Sequence, residues 1–170
     1  PRYPKFQCRR IDAPYLSEGR DAEVAERRAL EQARRAFADN PSDIACFIAE
    51  PIQGEGGDHH FRPDFFQAME QLCRENDALF VLDEVQTGCG LTGTNWAYQQ
   101  LGVRPDVVAF GKKTQVCGIM AGGRVDEEAF HVVHLVDALV ELDVGENTAR
   151  PGNMPQACGP EPITHESGAY

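Results

Sequence analysis

The sequence predicts an α/β protein built on a mostly parallel sheet with flanking helices. Three unbroken apolar runs lead to this prediction, and they occupy residues 44–49, 79–82 and 107–110. Apolar residues without polar alternation are typical of strands buried on both faces, as in parallel sheets. A helical pattern lies between the first two runs, which is the order of a βαβ unit with a right-handed crossover.

Two segments have apolar residues at helical spacing. Residues 21–39 are rich in Ala, Glu and Arg and have an apolar stripe that ends at Phe37, so we expect a helix that stops at Asn40-Pro41. A second helix is predicted to begin near Pro63, because proline fits the first helical turn. Its predicted buried face consists of Phe65, Met69, Leu72 and Cys73.

Composition divides the chain into three parts. Residues 1–20 contain several prolines and little periodicity, so we expect an extended, loop-like leading segment. Residues 21–130 contain the predicted core, including a short helix over 94–101 and a further strand over 118–121. Residues 131–170 have no clear period and end in proline- and glycine-rich sequence, which predicts an atypical, disordered tail.

Charge and cysteine content narrow the class of protein. The 170 residues have a formal net charge of -11, which argues against nucleic acid or an anionic membrane as the main partner. No apolar run approaches the length of a membrane span. Six scattered cysteines without close pairs predict reduced thiols in a cytoplasmic protein. The chain begins without Met, so we also expect a fragment of something longer.

Histidines are present, but they predict no metal site. His131 and His134 stand at helical spacing, and His59 and His60 are adjacent. A structural or catalytic zinc site needs at least three protein ligands, and no third ligand stands in a plausible place. We therefore expect no metal.

Each predicted core strand delivers an ionisable residue at its carboxyl end, namely Glu50, Asp83 and Lys112. Open α/β sheets bind ligands at this edge. A carboxylate there is costly unless a cation offsets its desolvation, and that cation is a metal, an arginine or a protonated cofactor nitrogen. The glycine-rich loop after Glu50 brings another carboxylate, Glu55, close to the same edge.

A lysine and a carboxylate on neighbouring strand ends suit pyridoxal phosphate chemistry. Lys112, at the end of a buried strand, loses its proton more easily than a lysine in water and is a candidate for a Schiff base with an aldehyde. Asp83 is suited to keeping a pyridinium nitrogen protonated, which makes the cofactor an electron sink. Gln86 is placed to donate to the phenolate oxygen, and Val85 to pack on the ring.

Three ordered segments together resemble the core motifs of class III (ornithine/GABA-type) ω-aminotransferases. They read EPIQGEGG at 50–57, LDEVQTG at 82–88 and PDVVAFGK at 105–112. The connecting sequence from 88 to 118 resembles the branch of that family that uses L-lysine, and the likeness covers roughly residues 1–130. The resemblance implies the central part of the large domain of the fold type I, aspartate aminotransferase-like, pyridoxal 5'-phosphate (PLP) enzymes.

The resemblance implies a role for each cofactor residue. Lys112 forms the internal aldimine with PLP and then acts as the base that shuttles a proton between substrate carbon and cofactor. Asp83 pairs with the pyridine nitrogen, Gln86 reaches the phenolic oxygen, and Val85 contacts the ring. Lys113 is implied to be a structural neighbour.

The resemblance also implies a substrate site and a reaction. Glu55 lies in that site and pairs with an arginine, so that one site accepts a terminal amine and then a 2-oxo diacid, while Glu50 supports it from behind. The implied reaction moves the ε-amino group of L-lysine to 2-oxoglutarate, giving glutamate and 2-aminoadipate 6-semialdehyde, which cyclises to piperideine-6-carboxylate. The resemblance further implies that the full-length enzyme is a homodimer. It also implies that the enzyme acts in lysine catabolism and in the supply of a β-lactam precursor.

The chain departs from the family pattern in two places. The phosphate-binding loop and the ring-stacking aromatic belong upstream of residue 1, and a Ser-Thr-Trp-Gly-Gly-Asn segment expected after residue 130 is replaced by residues 135–145. We hypothesise a shifted reading frame, because GC-rich codons for residues 142–144 read Ser-Thr-Trp when moved by one base. Two alternatives stay open: another ω-aminotransferase using ornithine, GABA or a diamine, and an inactive fragment.

Overall fold

The computed structural model describes residues 7–127 and 138–143. Within them the strands are β1 Gln7–Asp12, β2 Cys46–Ala49, β3 Ile52–Gln53, β4 His59–His60, β5 Leu79–Asp83, β6 Val107–Phe110, β7 Gly118–Ala121 and β8 Ala138–Asp143. The helices are α1 Ala22–Asp39, α2 Pro63–Glu75, α3 Tyr98–Leu101 and α4 Gly123–Glu127, with a short 3-10 helix at Lys112–Thr114.

Six strands form one sheet in the order β1-β8-β2-β5-β6-β7. Neighbouring strands from β1 to β6 run parallel, and only β7 is antiparallel, pairing with β6. The predicted α/β class with a mostly parallel sheet is therefore confirmed. β2 and β5 are adjacent and are connected through α2, which is the predicted βαβ unit.

Helix α1 follows the predicted bounds closely. The side chain of Asp21 caps its first turn by accepting a hydrogen bond from the Val24 amide at 3.1 Å. At the other end Asn40 donates its side-chain amide to the Ala36 carbonyl at 2.8 Å. The helix buries one face, formed by Ala25, Glu26, Ala29, Ala33 and Phe37.

Helix α2 places an aromatic cluster on the sheet. Pro63 occupies its first turn, as predicted, and the helix buries Phe66 in addition to the four predicted side chains. Phe61 contacts Phe66 edge to face with ring centroids 5.7 Å apart. On the sheet itself Phe47 and Phe80, partners in the β2–β5 register, stack at 5.8 Å. Burial of this apolar surface is the main contribution to the stability of the βαβ unit.

Two strands lie where no regular structure was expected. β1 is within the leading segment and β8 is within the tail, and the two pair in parallel along six residues each. The prediction of a disordered tail is thus corrected for residues 138–143, whereas the rest of 131–170 lies outside the described residues, as do residues 1–6. Four of the six residues of β1 are polar, so its strand character comes from backbone pairing with a distant partner rather than from an apolar run.

The glycine-rich segments differ from the expectation in detail. The loop after Glu50 contains a small hairpin, in which β3 and β4 pair antiparallel. The helix expected over 94–101 is confined to α3, and the residues before it form turns. Thr94 donates its hydroxyl to the Trp96 carbonyl at 2.7 Å, a local bond that competes with helical pairing.

The described cysteines are free thiols, namely Cys8, Cys46, Cys73, Cys89 and Cys117. Cys46 and Cys73 lie in the core, where burial raises the pKa of each thiol to about 12 and keeps it protonated. Cys158 lies outside the described residues.

Asp106 braces the sheet at the amino ends of its central strands. Its carboxylate is 5% exposed, and Oδ2 accepts from the Phe80 amide at 2.9 Å and from Arg124 Nη1 at 3.1 Å. Arg124 also pairs with Asp77 at 3.2 Å, so α4 is tied to the start of β5.

The substitution Asp106→Asn is expected to lower the free energy of unfolding by about 1–3 kcal/mol, because it removes a buried charge that serves two donors. Urea denaturation of the chain measures the change. The matched control is Arg35→Ala, which breaks an exposed pair with Glu31 and should cost no more than about 0.5 kcal/mol. Equal, small effects of both substitutions would contradict the bracing role.

Candidate active site at the carboxyl edge of the sheet

The carboxyl ends of β2, β5 and β6 meet at one edge of the sheet because these three strands are parallel and adjacent. Glu50 follows β2 directly, Asp83 is the last residue of β5, and Lys112 stands two residues after β6. The structure thus brings the three ionisable residues singled out in the sequence to the same edge.

Asp83 leaves one carboxylate oxygen open. The side chain is half-buried, and Oδ1 accepts from the Val85 amide at 3.0 Å, which orients the carboxylate. Within the described part of the chain, Oδ2 has no hydrogen-bond donor. A half-buried acceptor in this state is able to take a hydrogen bond from a bound molecule.

Gln86 and Val85 are packed against glycines of the neighbouring strand ends. A Cβ atom at Gly54 would lie 3.0 Å from Gln86 Nε2, and one at Gly111 would lie 3.4 Å from Val85 Cγ1. Gln86 Nε2 also donates to Glu55 Oε1 at 3.4 Å. The turn after β5 therefore contacts both the loop after β2 and the end of β6.

Lys112 forms an ion pair with Glu55, with Nζ and Oε1 3.6 Å apart. The two side chains are 52% and 86% exposed, so this pair contributes at most about 1 kcal/mol to stability. The burial expected for Lys112 is corrected: β6 ends at Phe110, and Lys112 begins a 3-10 helix at the surface.

Glu50 anchors the loop that carries Glu55. Its Oε2 accepts from the Gly54 amide at 3.3 Å, and its side chain is half-buried. Burial raises the pKa of the Glu50 carboxyl above its usual value, while the Gly54 N–H opposes the rise. The charge of Asp83 raises this pKa further, and that of Lys112 lowers it. The charges at the ends of β5 and β6 thus both act on Glu50 at the end of β2.

Glu84 has a structural role that the sequence analysis did not anticipate. It is 1% exposed, and its carboxylate accepts from the Ala97 and Tyr98 amides at 2.8 Å each and from Thr87 Oγ1 at 3.1 Å. Thr87, three residues further on, was the available signal, because a hydroxyl at that spacing is able to reach back to the carboxylate. The partners at the start of α3 are distant in sequence and gave no local pattern.

No group of three or more His, Cys, Asp or Glu residues suited to a metal ion occurs among residues 7–127 and 138–143. His131 and His134 lie outside that part of the chain. None of the helices described is long and apolar enough to cross a membrane.

The mostly parallel sheet, with a lysine, a carboxylate and an amide side chain at adjacent strand ends, defines part of the large domain of a fold type I PLP-dependent transferase. A family model described as aminotransferase class-III matches residues 3–135, and the chain belongs to this family. PLP is the cofactor of the family, as the sequence predicts.

The chain is similar to L-lysine-epsilon aminotransferases over most of its length. It is 68% identical over 134 residues to that of Mycobacterium tuberculosis, covering 77% of this chain and 30% of the relative. It is 67% identical over 132 residues to that of Streptomyces clavuligerus, covering 74% and 29%. The chain therefore spans about 30% of the length of these relatives.

Solved structures show the same likeness. The lysine aminotransferase from M. tuberculosis in the internal aldimine form matches with a TM-score of 0.71 and 69% identity, covering 75% of this chain and 30% of that one. The ornithine delta-aminotransferase of Plasmodium falciparum matches with a TM-score of 0.53 and 36% identity, covering 56% and 26%.

The raised pKa of Glu50 predicts a pH-dependent effect of Glu50→Gln. The folded state binds the Glu50 proton more tightly than the unfolded state, so this stabilising contribution is present at low pH and is lost as the pH rises through the folded-state pKa. We expect Glu50→Gln to stabilise the chain relative to the parent at about pH 7 and to do so less at about pH 4.

Urea denaturation at both pH values measures this difference. Glu18→Gln, at an exposed position, is the control for the removal of one negative charge, and the pH dependence assigned to Glu50 is the part that exceeds it. A stabilisation by Glu50→Gln that is equal at both pH values, or a destabilisation at neutral pH, would contradict the assignment.

Proposed function

We propose that the intact protein containing this chain is an L-lysine 6-aminotransferase, which moves the ε-amino group of L-lysine to 2-oxoglutarate with PLP as cofactor. The products are glutamate and 2-aminoadipate 6-semialdehyde, which cyclises to piperideine-6-carboxylate. One observation carries the proposal: Lys112, Asp83 and Gln86 share one sheet edge in a chain that is 68% identical to L-lysine-epsilon aminotransferases.

The strand-end residues fit PLP. Asp83 Oδ2 offers an open acceptor to a protonated ring nitrogen, and the Gln86 amide offers a donor to the phenolate oxygen. Val85, packed near Gly111, offers an apolar surface to the ring. Lys112 Nζ is exposed and accessible to an aldehyde. When bound, PLP supplies an electron sink for the negative charge that develops at the substrate carbon bearing the amine.

Lys112 has two proposed tasks. Its Nζ would hold the cofactor through the aldehyde group. Its amine would also serve as the general base and acid that moves a proton at the substrate carbon. Glu55 Oε1 lies 3.6 Å from Nζ, so Glu55 would have to move away before Nζ could hold a cofactor.

Glu55 and Glu50 are proposed to serve the substrate side of the site. Glu55 is 86% exposed and lies in the loop beside Lys112, a position from which it is free to pair with an arginine of the intact enzyme. Pairing with that arginine when lysine binds, and releasing it when 2-oxoglutarate binds, would let one site accept both substrates. Glu50 supports this motion by fixing the base of the loop through the Gly54 amide.

The assembly and setting of the enzyme are also proposals. We infer a homodimer with active sites at the subunit interface, acting in the cytoplasm in lysine catabolism and β-lactam precursor supply. Likeness to the enzymes of Streptomyces clavuligerus and Amycolatopsis lactamdurans supports this setting. We expect the 170-residue chain alone to be inactive, because it spans about 30% of the length of its relatives.

Borohydride trapping tests the role of Lys112. Treatment of the intact protein with PLP and borohydride should give one reduced adduct, located on Lys112 by peptide mass spectrometry. Lys112→Arg should abolish the adduct, because a guanidinium is not deprotonated in proteins and cannot attack the aldehyde. The neighbouring Lys113→Arg substitution is the matched control and should retain it. An adduct on Lys113, or one that persists in Lys112→Arg, would refute the assignment.

Comparison of amine donors tests the substrate. With 2-oxoglutarate as acceptor, the intact protein should form glutamate from L-lysine with a kcat/KM at least about tenfold higher than from L-ornithine or 4-aminobutyrate, equivalent to about 1.4 kcal/mol of transition-state binding. A preference for ornithine or 4-aminobutyrate would instead support another ω-aminotransferase of the same family. Mixing L-lysine, 2-oxoglutarate and the Lys112→Arg variant provides the blank rate.

A further inference from the structure

Glu84 is a buried carboxylate whose described partners are all uncharged. It is 1% exposed, and no described lysine or arginine pairs with it. The Ala97 and Tyr98 amides and the Thr87 hydroxyl occupy both of its oxygens. Burial of a carboxylate without a cation carries a desolvation penalty, which hydrogen bonds offset only in part. An apolar side chain in this place would leave the two amides and the hydroxyl without their acceptor, so the carboxylate does something besides filling space.

The backbone of Glu84 closes the turn that carries the cofactor residues. Its N–H donates to the Ala109 carbonyl at 2.9 Å, which extends the β5–β6 pairing by one residue. Its carbonyl accepts from the Gly88 amide at 2.9 Å and closes the turn around Val85 and Gln86. Because the side chain of the same residue holds the start of α3, the turn cannot shift without breaking those side-chain bonds.

Trp96 transmits this restraint to the strand that leads to Lys112. The indole packs so closely on Gly88 that a Cβ there would lie 2.6 Å from Cζ3. The centroid of the Trp96 ring also lies 6.0 Å from that of Phe110, the last residue of β6. The next residue, Ala97, is bonded to Glu84, so the carboxylate fixes the place of the indole between the turn and the end of β6.

We propose that Glu84 is a positioning residue of the cofactor site: through the turn it sets Val85 and Gln86, and through Trp96 it sets the end of β6, relative to Lys112. Glu84 touches neither substrate nor cofactor in this role. The inference rests on the proposed function and adds a residue that acts on the cofactor through its neighbours.

The test substitutes Glu84→Gln in the intact protein. Glutamine keeps the size but directs an NH2 group at one of the three donors, so the turn shifts. We expect kcat for L-lysine to fall about 10- to 100-fold, the effect of a misplacement of about 1 Å, with a smaller change in KM. The pH midpoint of the absorbance of bound PLP should also move, because Gln86 no longer sits at its place beside the phenolate oxygen. A purely structural role would leave that midpoint unchanged.

A readout without cofactor accompanies the kinetics. Trp96 is the single tryptophan of the 170-residue chain, so the intrinsic fluorescence of the chain reports on this packing. Glu84→Gln should move the emission to longer wavelength in the absence of PLP. Should this variant fail to fold, Thr87→Val removes only one donor to the carboxylate and should produce the same changes at smaller amplitude.

Asp106→Asn is the matched control, since Asp106 is also a buried carboxylate that accepts a backbone N–H but lies at the opposite edge of the sheet. It should lower stability and leave kcat, the absorbance midpoint and Trp96 emission unchanged. The inference is overturned if Glu84→Gln changes these three no more than Asp106→Asn does, while the Lys112 adduct still forms. Absence of the adduct in the unsubstituted protein overturns the proposed function instead, and this inference with it.

Discussion

Parallel pairing of β2, β5 and β6 is the constraint on which the site depends. It forces the chain to leave all three strands at the same edge, so residues about 30 positions apart in sequence become neighbours. The Phe47–Phe80 stack and the α2 side chains that pack above it hold these strands together. The apolar interior thus determines where the polar groups meet, and the exposed Lys112–Glu55 pair adds at most about 1 kcal/mol.

The charges at this edge explain what kind of ligand it accepts. Three carboxylates, Glu50, Asp83 and Glu55, surround one ammonium group, Lys112, which is paired with Glu55. Burial raises the pKa of Glu50, and the negative charges of Asp83 and Glu55 raise it further. A protonated ring nitrogen beside Asp83, as we propose, would relieve the excess, whereas a phosphate group would need donors from elsewhere. The described residues at this edge thus suit the ring end of PLP. This is consistent with a chain that spans about 30% of the length of its relatives.

Much of this arrangement was predictable because short stretches of sequence determine it. An unbroken apolar run followed by an acid or a lysine specifies both a buried parallel strand and what lies at its end, and the positions of Asp83 and Lys112 follow from that rule. β1 and β8 were not predictable, because they depend on pairing between segments more than 120 residues apart. The exposure of Lys112 was also missed, because the 3-10 helix after Gly111 turns the chain outward where the apolar run suggests continued burial.

The adjacent acids Asp83 and Glu84 show why a single motif has two distinct electrostatic environments. Side chains of successive residues at a strand end project to opposite sides. Asp83 is half-buried and retains an open oxygen, whereas Glu84 is enclosed and has both oxygens occupied by donors of its own chain. The length of each side chain determines which partner it reaches. The short Asp83 side chain accepts from the Val85 amide, two residues further along the chain, whereas the longer Glu84 side chain reaches the start of α3, 13 residues further along. Glu84 therefore fixes the backbone around Asp83. The open oxygen of Asp83 then has a defined position from which to bind a ligand.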